Sequence, residues 1–167
     1  HAAFYQGESK EKTFKQVHDS LKEVVSDLRN EGIEIWVRPE TMGKQTQFGT
    51  IEEVIELSQK IEGVLPCIDF SHLHARTNGK FNTYEDFKGV LELIEKDLGK
   101  QALKNMHIHA QGIEFSEKGE KRHLPFSSSK FDYSALAKCL KDFSAKGVVI
   151  CESPIMEEDT LLLQKAY

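Results

Sequence analysis

Five short apolar stretches, each with a carboxylate or an imidazole at or near one end, constrain the fold of this chain most strongly. They are residues 1–5, 33–40, 65–76, 105–109 and 147–152. Each of the last four precedes a segment with a helical pattern, at intervals of roughly 30 to 40 residues. Alternating β and α units of this kind imply a parallel sheet with right-handed crossovers.

The placement of the polar residues favours one architecture for that sheet. In a (β/α)8 TIM barrel the loops after all strands face one shared mouth, whereas an open doubly wound sheet usually carries a Gly-rich phosphate turn, which is lacking here. A complete barrel needs about 200 residues or more. The sequence therefore predicts an α/β fold in which residues 1–167 form a single domain, the last five βα units of a (β/α)8 barrel without its first three.

The helices are predicted from their apolar spacing and their N-terminal caps. Segment 111–130 is too rich in Gly, Ser and charge to be core, which predicts a long polar loop, and no hairpin signal is present. The predicted helix starts and caps are a helix over 11–30, Thr50 with Glu53, Thr83 with Asp86, Asp132, and Ser153-Pro154 before the last helix.

Composition excludes several classes of protein. The net charge of −5 argues against unspecific binding along a polyanion, although bound divalent cations could reverse the sign locally. No apolar run approaches about 18 residues and no charged leader precedes one, so we expect no membrane span and a cytoplasmic location. Cys67, Cys139 and Cys151 lack C-x-x-C spacing and are interpreted as reduced core thiols.

The strand ends supply a set of candidate metal ligands. Glu40, Asp69, His109 and Glu152 are mixed oxygen and nitrogen donors without a thiolate, which suits Zn²⁺ or Mn²⁺ in a catalytic site. His72 adds an imidazole one step further out. His107 points to the same side of its strand as His109, but lies deeper and is expected to fill an inner layer of the barrel.

Each of these residues has a structural alternative. Asp69 could cap the following segment, and Glu40 could be an ordinary loop carboxylate. His74, placed in the loop after the strand, could contact substrate or be merely solvated. Arg76 and Lys44 are candidate phosphate contacts, although exposed basic residues are mostly just solvated.

Several motifs together resemble a known family. The sequence is similar to endonuclease IV, the second family of AP endonucleases, and especially to its shorter archaeal-type members within the xylose isomerase-like TIM barrel superfamily. The motifs are Arg-Pro-Glu-Thr-Met-Gly-Lys at 38–44, Asp-Phe-Ser-His at 69–72, His-Ala-Gln-Gly-Ile-Glu at 109–114, Gly-Glu-Lys-Arg-His at 119–123 and Glu-Ser-Pro at 152–154.

The resemblance implies a zinc-dependent hydrolase that cleaves the phosphodiester 5′ of an abasic site in DNA, through a metal-activated hydroxide. Abasic-site DNA would be its partner, and Glu152 or Glu40 would help to deprotonate the nucleophile. The implied zinc ligands are Glu40 and His1 for one ion, Glu40 with Asp69, His109 and Glu152 for a second, and His72 with His123 for a third.

The sequence departs from the family pattern at the third ion. Where the family has Asp-x-His, this chain has Lys121-Arg122-His123, with Glu120 as the nearest carboxylate. Two or three zinc ions are therefore expected, depending on whether Glu120 reaches the site. An open sheet edge would also result where the first three units are missing, which predicts self-association or a longer natural protein.

Two further functions stay open. Sugar isomerases and epimerases of the same superfamily use Mn²⁺ or Mg²⁺, and Glu40, Asp69, His109 and Glu152 suit that chemistry equally well. His123 and His1 are the discriminating residues, because extra imidazoles favour a multizinc phosphodiesterase. The non-enzymatic alternative is a metal-binding or DNA-binding remnant of a barrel.

Overall fold

The computed structural model describes residues 1–167 as six α-helices and seven short strands. The helices are α1 (Lys10–Asn30), α2 (Ile51–Lys60), α3 (Phe70–Arg76), α4 (Tyr84–Leu98), α5 (Tyr133–Asp142) and α6 (Glu157–Ala166). The strands are β1 (Ala3–Phe4), β2 (Gln47–Phe48), β3 (Cys67–Asp69), β4 (Met106–His109), β5 (Gly112–Ser116), β6 (Gly119–Leu124) and β7 (Gly147–Ile150).

The central sheet is parallel, as the repeat of strands and helices predicts. Strands β3, β4 and β7 are hydrogen-bonded in that order, with Asp69 opposite His109 and His109 opposite Ile150. Parallel bridges from Val37 to Val64 and from Glu40 to Cys67 attach a fourth segment beside β3. The α/β fold class and the partial barrel are confirmed, and the sheet does not close.

The first predicted barrel strand is the exception. Strand β1 pairs antiparallel with β2, with Ala3 opposite Phe48, rather than parallel with the central sheet. Residues 33–36, predicted as strand, also lie outside the named strands, and Ile35 is 59% exposed. Both segments lie on the side of β3 that faces away from β4. On that side the sheet continues only through the two isolated bridges.

The expectation of a long loop over 111–130 is wrong. Strands β5 and β6 form an antiparallel hairpin joined by Glu117 and Lys118. Ion pairs rather than apolar packing stabilise the charged part of the hairpin. The Lys121 and Arg122 side chains donate to the Glu114 carboxylate across the two strands, at 2.8 and 2.7 Å. Cross-strand ion pairing replaces the apolar alternation by which strands are normally recognised.

Helix starts follow the capping signals closely. Thr50 and Thr83 form complete capping boxes, and the Asp132 side chain caps α5. Two boundaries differ from expectation: α3 begins directly after Asp69, where a loop was predicted, and α6 begins at Glu157 rather than near Ser153.

The main core lies between the parallel sheet and helices α4 and α5. Phe87, Leu91 and Ile94 of α4 are almost completely buried and belong to one cluster with Ile68 of β3 and Ile108 of β4. These strand residues alternate with Cys67, Asp69, His107 and His109, which therefore face the other side of the sheet. Helices α4 and α5 therefore cover the apolar face of the sheet. The polar face carries the side chains that lie toward the barrel mouth.

Strand β7 is an edge strand of the parallel sheet. It has β4 on one side only, and Val148, Val149 and Ile150 are 53%, 41% and 40% exposed. Natural sheets usually cover or charge such an edge, because its free N–H and C=O groups can pair with another chain. No helix of the structure has both the length and the apolar character that a membrane span requires.

Candidate metal centre

Four predicted ligands converge at the carboxyl end of the parallel sheet. Glu40 ends the bridged segment, Asp69 ends β3, His109 ends β4, and Glu152 follows β7 by two residues. One donor atom from each lies within 4.8 Å of the donor atoms of the other three. We refer to these four residues as the inner group.

Within the inner group, His109 contacts two carboxylates through one ring nitrogen. Its Nδ1 lies 3.1 Å from Glu40 Oε1 and 3.5 Å from Glu152 Oε2. Asp69 is fully buried, and its Oδ1 accepts a 2.7 Å hydrogen bond from the backbone N–H of His72. Asp69 thus caps α3 and also lies within the inner group, where its role as a metal ligand stays a prediction.

A second cluster, the outer group, consists of His72, Glu120 and His123, whose donor atoms also lie within 4.8 Å of one another. Nε2 of His72 lies 3.4 Å from Glu120 Oε2, and Nε2 of His123 lies 3.8 Å from Glu120 Oε1. The two groups adjoin, since His72 Nδ1 is 3.3 Å from Glu40 Oε1.

Backbone carbonyls determine which nitrogen each outer histidine offers. Nδ1 of His72 lies 3.0 Å from the Thr41 carbonyl oxygen, and Nδ1 of His123 lies 3.0 Å from the Glu152 carbonyl oxygen. A carbonyl oxygen only accepts, so each Nδ1 carries the proton and donates it. Both rings therefore present Nε2 toward Glu120, in the manner of histidines that bind metal.

A β-bulge brings Glu120 into the outer group. Arg122 pairs with Glu114 and Glu120 with Phe115, so Lys121 is an extra residue without a partner. In a regular strand, residues three apart point to opposite faces, but one inserted residue restores them to the same face. The carboxylate absent at position 121 is thus supplied by Glu120, and Lys121 turns away to Glu114.

Two glycines allow the hairpin to approach the loop after Glu40. The Glu120 backbone N–H donates to the Gly43 carbonyl at 3.0 Å. A Cβ on Gly119, whose φ is +92°, would lie 2.3 Å from that same carbonyl oxygen, and a Cβ on Gly43 would lie 2.8 Å from Glu120 Oε2. Only glycine fits at these two positions without moving Glu120.

The charges of the site are strongly coupled. Burial opposes ionisation of Glu40, but hydrogen bonds and charge from His109 and His72 outweigh it and lower its pKa to about 2. Burial likewise opposes the charged form of His72, yet the carboxylates of Asp69, Glu120 and Glu40 raise its pKa to about 11. Without a cation, the site holds its carboxylates together by keeping the imidazoles of His72 and His109 protonated.

The residues present fit a divalent cation. Nε2 of His72 is buried and makes no hydrogen bond, although an acceptor carboxylate lies beside it. Four carboxylates and three imidazoles line the two groups, and a partly buried array of this kind is characteristic of a metal site. A bound cation would take over the charge compensation that the imidazolium protons provide.

Two other predicted site residues lie at the rim. His1 is 63% exposed, with Nε2 3.6 Å from Glu40 Oε2, and it belongs to neither group. Lys44 follows Gly43 beside the hairpin, and its charge contributes to lowering the pKa of Glu120, after the larger effect of His72. Substrate contact by Lys44 stays a prediction, and its position next to the outer group is compatible with it.

The structure gives Arg76 a role in the scaffold, so its contact with substrate stays a prediction, and it does not support substrate contact by His74. The Arg76 guanidinium donates to the carbonyl oxygens of Met42, Lys44 and Gln47, and so holds the loop after Glu40 in place. His74 lies within α3 rather than in a loop and is 2% exposed. Its ring packs edge-on against Phe115, and its Nδ1 donates to the Phe81 carbonyl at 2.9 Å.

Sequence reasoning assigned no role to Thr41 and Gln111. The Thr41 hydroxyl accepts from the Asp69 N–H at 2.8 Å, and the Gln111 amide donates to Asp69 Oδ2 at 2.7 Å. Both residues fall inside quoted motifs, 38–44 and 109–114, which was the available signal. Such partners orient a ligand and are part of a metal site although they do not touch the ion.

Replacement of Glu120 tests the outer group directly. We expect Glu120→Ala to lower the metal content by about one ion per chain, because His72 and His123 alone leave too few donors for tight binding. Glu120→Asp should restore part of the loss. Metal per chain is measured by mass spectrometry after dialysis, with Glu117→Gln, at an exposed position in the turn of the same hairpin, as the control. Unchanged stoichiometry in Glu120→Ala would show that Glu120 is not a ligand.

Parallel βα units with two ligand groups at their carboxyl ends define a partial (β/α) barrel with a metal-binding mouth. Comparison with known families gives the particular assignment. The chain belongs to the xylose isomerase-like TIM barrel family, whose model matches residues 1–166.

Relatives of this chain agree with the resemblance found in its motifs. It is 46% identical over 167 residues to an uncharacterised protein of Methanocaldococcus jannaschii, covering all of this chain and 61% of that protein. It is 31% identical over 170 residues to a probable endonuclease 4 of Bacillus subtilis, covering 95% of this chain and 53% of that protein. The chain thus spans between half and two thirds of these relatives.

Solved structures confirm the fold. A 3-keto-D-glucoside 4-epimerase from E. coli matches with a TM-score of 0.63 and 18% identity, over 99% of this chain and 59% of the epimerase. A D-tagatose 3-epimerase-like protein matches with a TM-score of 0.62 and 19% identity, over 96% of this chain and 55% of that protein. At these identities the likeness concerns the fold alone.

Proposed function

We propose that this chain carries the metal-binding site of a zinc-dependent phosphodiesterase that cleaves DNA 5′ of abasic sites. The observation that supports it most is the pair of adjoining ligand groups, which meet where His72 Nδ1 lies 3.3 Å from Glu40 Oε1. Zinc suits the donors, since both groups combine imidazole with carboxylate. The probable endonuclease 4 relatives support the same reaction class.

The chain's own residues perform three tasks in this proposal. Glu40 lies between the groups and ties them into one centre. Hydrogen bonds with Thr41 and Gln111 hold the buried Asp69, whose carboxylate is a proposed ligand, in one position. The outer imidazoles extend the positive region over which a phosphodiester can bind. Divalent cations held there would supply water activation and stabilisation of the charge on the phosphate.

Glu152 is the better proton acceptor of the two predicted catalytic carboxylates. The side chain of Glu40 is only 12% exposed and is held between His109 and His72. The side chain of Glu152 is 37% exposed and lies at the open side of the inner group. A water molecule can reach Glu152 from solvent, and Glu152 can return the proton there.

A sugar isomerase or epimerase function is the second candidate. It is favoured by one observation: Glu40, Asp69, His109 and Glu152 form a complete four-ligand group without the outer residues. Such a site could hold a single Mn²⁺ or Mg²⁺ and move a proton beside a carbonyl. The outer group has no evident task in that chemistry, which is why the phosphodiesterase is preferred.

The deciding experiment combines metal analysis with cleavage, using the longest natural form of the protein that carries this chain. The protein is stripped with a chelator, reloaded with Zn²⁺, Mn²⁺ or Mg²⁺, and incubated with a duplex that contains one abasic site. We expect two or three zinc ions per chain and nicking 5′ of the lesion that the chelator abolishes. Glu152→Gln, assayed at saturating Zn²⁺ because it also alters one inner ligand, should lose most of the cleavage.

The controls separate the two candidates. An undamaged duplex of the same sequence should not be cut, and Glu62→Gln, at a side chain 90% exposed, should behave as wild type. Binding of one Mn²⁺ or Mg²⁺ with no nicking would refute the phosphodiesterase. Turnover of ketose or aldose sugars under those conditions would then establish the second candidate.

We also propose that a second copy of this chain pairs along the free edge of β7 when no other segment covers it. The exposed Val148, Val149 and Ile150 and the unpaired backbone groups support this. Val149→Lys should shift sedimentation toward the monomer, since charge on an edge strand discourages pairing. A monomeric wild-type chain would refute the proposal.

A further inference from the structure

A second type of ligand set lies one layer below the inner group. Cys67 and His107 are direct partners across β3 and β4, two residues before Asp69 and His109 on the same strands. Residues two apart on a strand point to the same face, so Cys67 lies beneath Asp69 and His107 beneath His109. The rings of His107 and His109 are 5.3 Å apart.

These side chains are close enough to share one ion. Donor atoms of Cys67, His107 and His109 all lie within 4.8 Å of one another. The hydrogen bonds of His109 use Nδ1 toward Glu40, and the His107 ring makes no hydrogen bond within the chain. Cys67 is a free thiol, 3% exposed.

We propose that Cys67, His107 and His109 form a separate site for a thiophilic divalent cation such as Zn²⁺, Cd²⁺ or Co²⁺. One sulfur and two nitrogens are a softer donor set than the oxygen-rich inner group, so the lower layer has the stronger preference for thiophilic ions. Binding converts the Cys67 thiol to a thiolate, its proton passes to solvent, and the sulfur forms the new bond to the cation.

The surroundings of the site restrict its affinity without preventing binding. The guanidinium of Arg38 lies nearby and would repel a cation, but it is held by the Pro66 carbonyl and by the backbone and side-chain oxygens of Asn105. His109 belongs to both ligand sets. An ion in the lower layer therefore competes with the inner group for His109, and the two layers are expected to fill with negative coupling.

Cobalt spectroscopy tests this site without reference to activity. The full-length protein is stripped with a chelator and titrated with Co²⁺, whose bond to a thiolate gives an intense near-ultraviolet charge-transfer band that carboxylate and imidazole ligands do not give. We expect the band in wild type and its loss in Cys67→Ser. Cys139→Ser and Cys151→Ser, which remove the other two thiols, should retain it.

A second variant guards against a folding defect at the buried Cys67. His107→Gln, at a half-buried position, should leave the fold intact by circular dichroism and weaken the band at least about tenfold in cobalt concentration, since one of three ligands is lost. A band that survives Cys67→Ser, or no band at saturating Co²⁺, would overturn the proposal. Neither result bears on cleavage at abasic sites, which is measured separately with zinc.

Discussion

Glu40→Gln is expected to abolish metal binding by the inner group, to weaken it in the outer group and, with it, to abolish any metal-dependent activity. The Glu40 carboxylate lies 3.1 Å from His109 of the inner group and 3.3 Å from His72 of the outer group. Loss of a residue that merely orients a ligand costs about 10–100-fold in metal affinity. Loss of a direct ligand of the inner group should cost more, so we expect the affinity of that group to decrease by at least about 100-fold.

The substitution is nearly isosteric, which makes its outcome specific. Glutamine retains the shape of the side chain and removes the charge that holds the imidazoles of His72 and His109. Metal affinity is measured by competition with a chromophoric chelator, and Glu62→Gln serves as the matched control. If Glu40→Gln bound the same number of ions with wild-type affinity, Glu40 would be a loop carboxylate and the two-group centre would be wrong.

The fold was predictable where local signals and tertiary contacts agree. The capping residues Thr50, Thr83 and Asp132 predict where their helices start, because each side chain accepts a hydrogen bond from a backbone N–H three residues later. The parallel strands β3, β4 and β7 followed from their apolar runs between helices. Strand β1 was misassigned because two residues cannot encode a partner, and its antiparallel pairing with β2 depends on the loop held by Arg76.

The inner group was also predictable, since parallel strands gather the residues at their carboxyl ends into one place. The outer group was not, because its geometry depends on a β-bulge and on the contact between Gly43 and Gly119. Read with a strand period of two, Glu120 and His123 point to opposite faces. The one residue inserted by the bulge, Lys121, places both side chains on the same face. No local sequence pattern predicts this bulge.

His74 and Arg76 show the opposite failure. Their residue types and their nearness to Asp69 suggested substrate contact, yet a helix directly after Asp69 turns His74 into the aromatic cluster around Phe115 and Phe131. Arg76 donates from Nη1 to three backbone carbonyls and so supports the loop after Glu40. Polar residues near a site can serve the scaffold, and burial and partners distinguish the two roles where sequence does not.

Metal affinity is expected to rise steeply with pH, by about tenfold per pH unit for each imidazolium proton that the cation displaces. Without a cation, the carboxylates around His72 raise its pKa to about 11 against the effect of burial. The pKa of His109 is raised by its hydrogen bond to Glu40. An ion must therefore displace at least one proton, which gives about 100-fold tighter binding at about pH 8 than at about pH 6.

The metal-free protein should show the opposite trend in stability. Since the pKa of His72 is higher in the folded chain than in the unfolded one, its protonation stabilises the fold fully below about pH 6.5, and this contribution is lost as the pH rises toward about 11.

The protons released on metal binding are counted by calorimetric titration in buffers of different ionisation enthalpy. Glu120→Gln, which removes one of the carboxylates facing His72, should reduce the count. Metal binding without proton release would mean that His72 and His109 are neutral before the ion arrives, and the charge balance derived for the centre would be wrong.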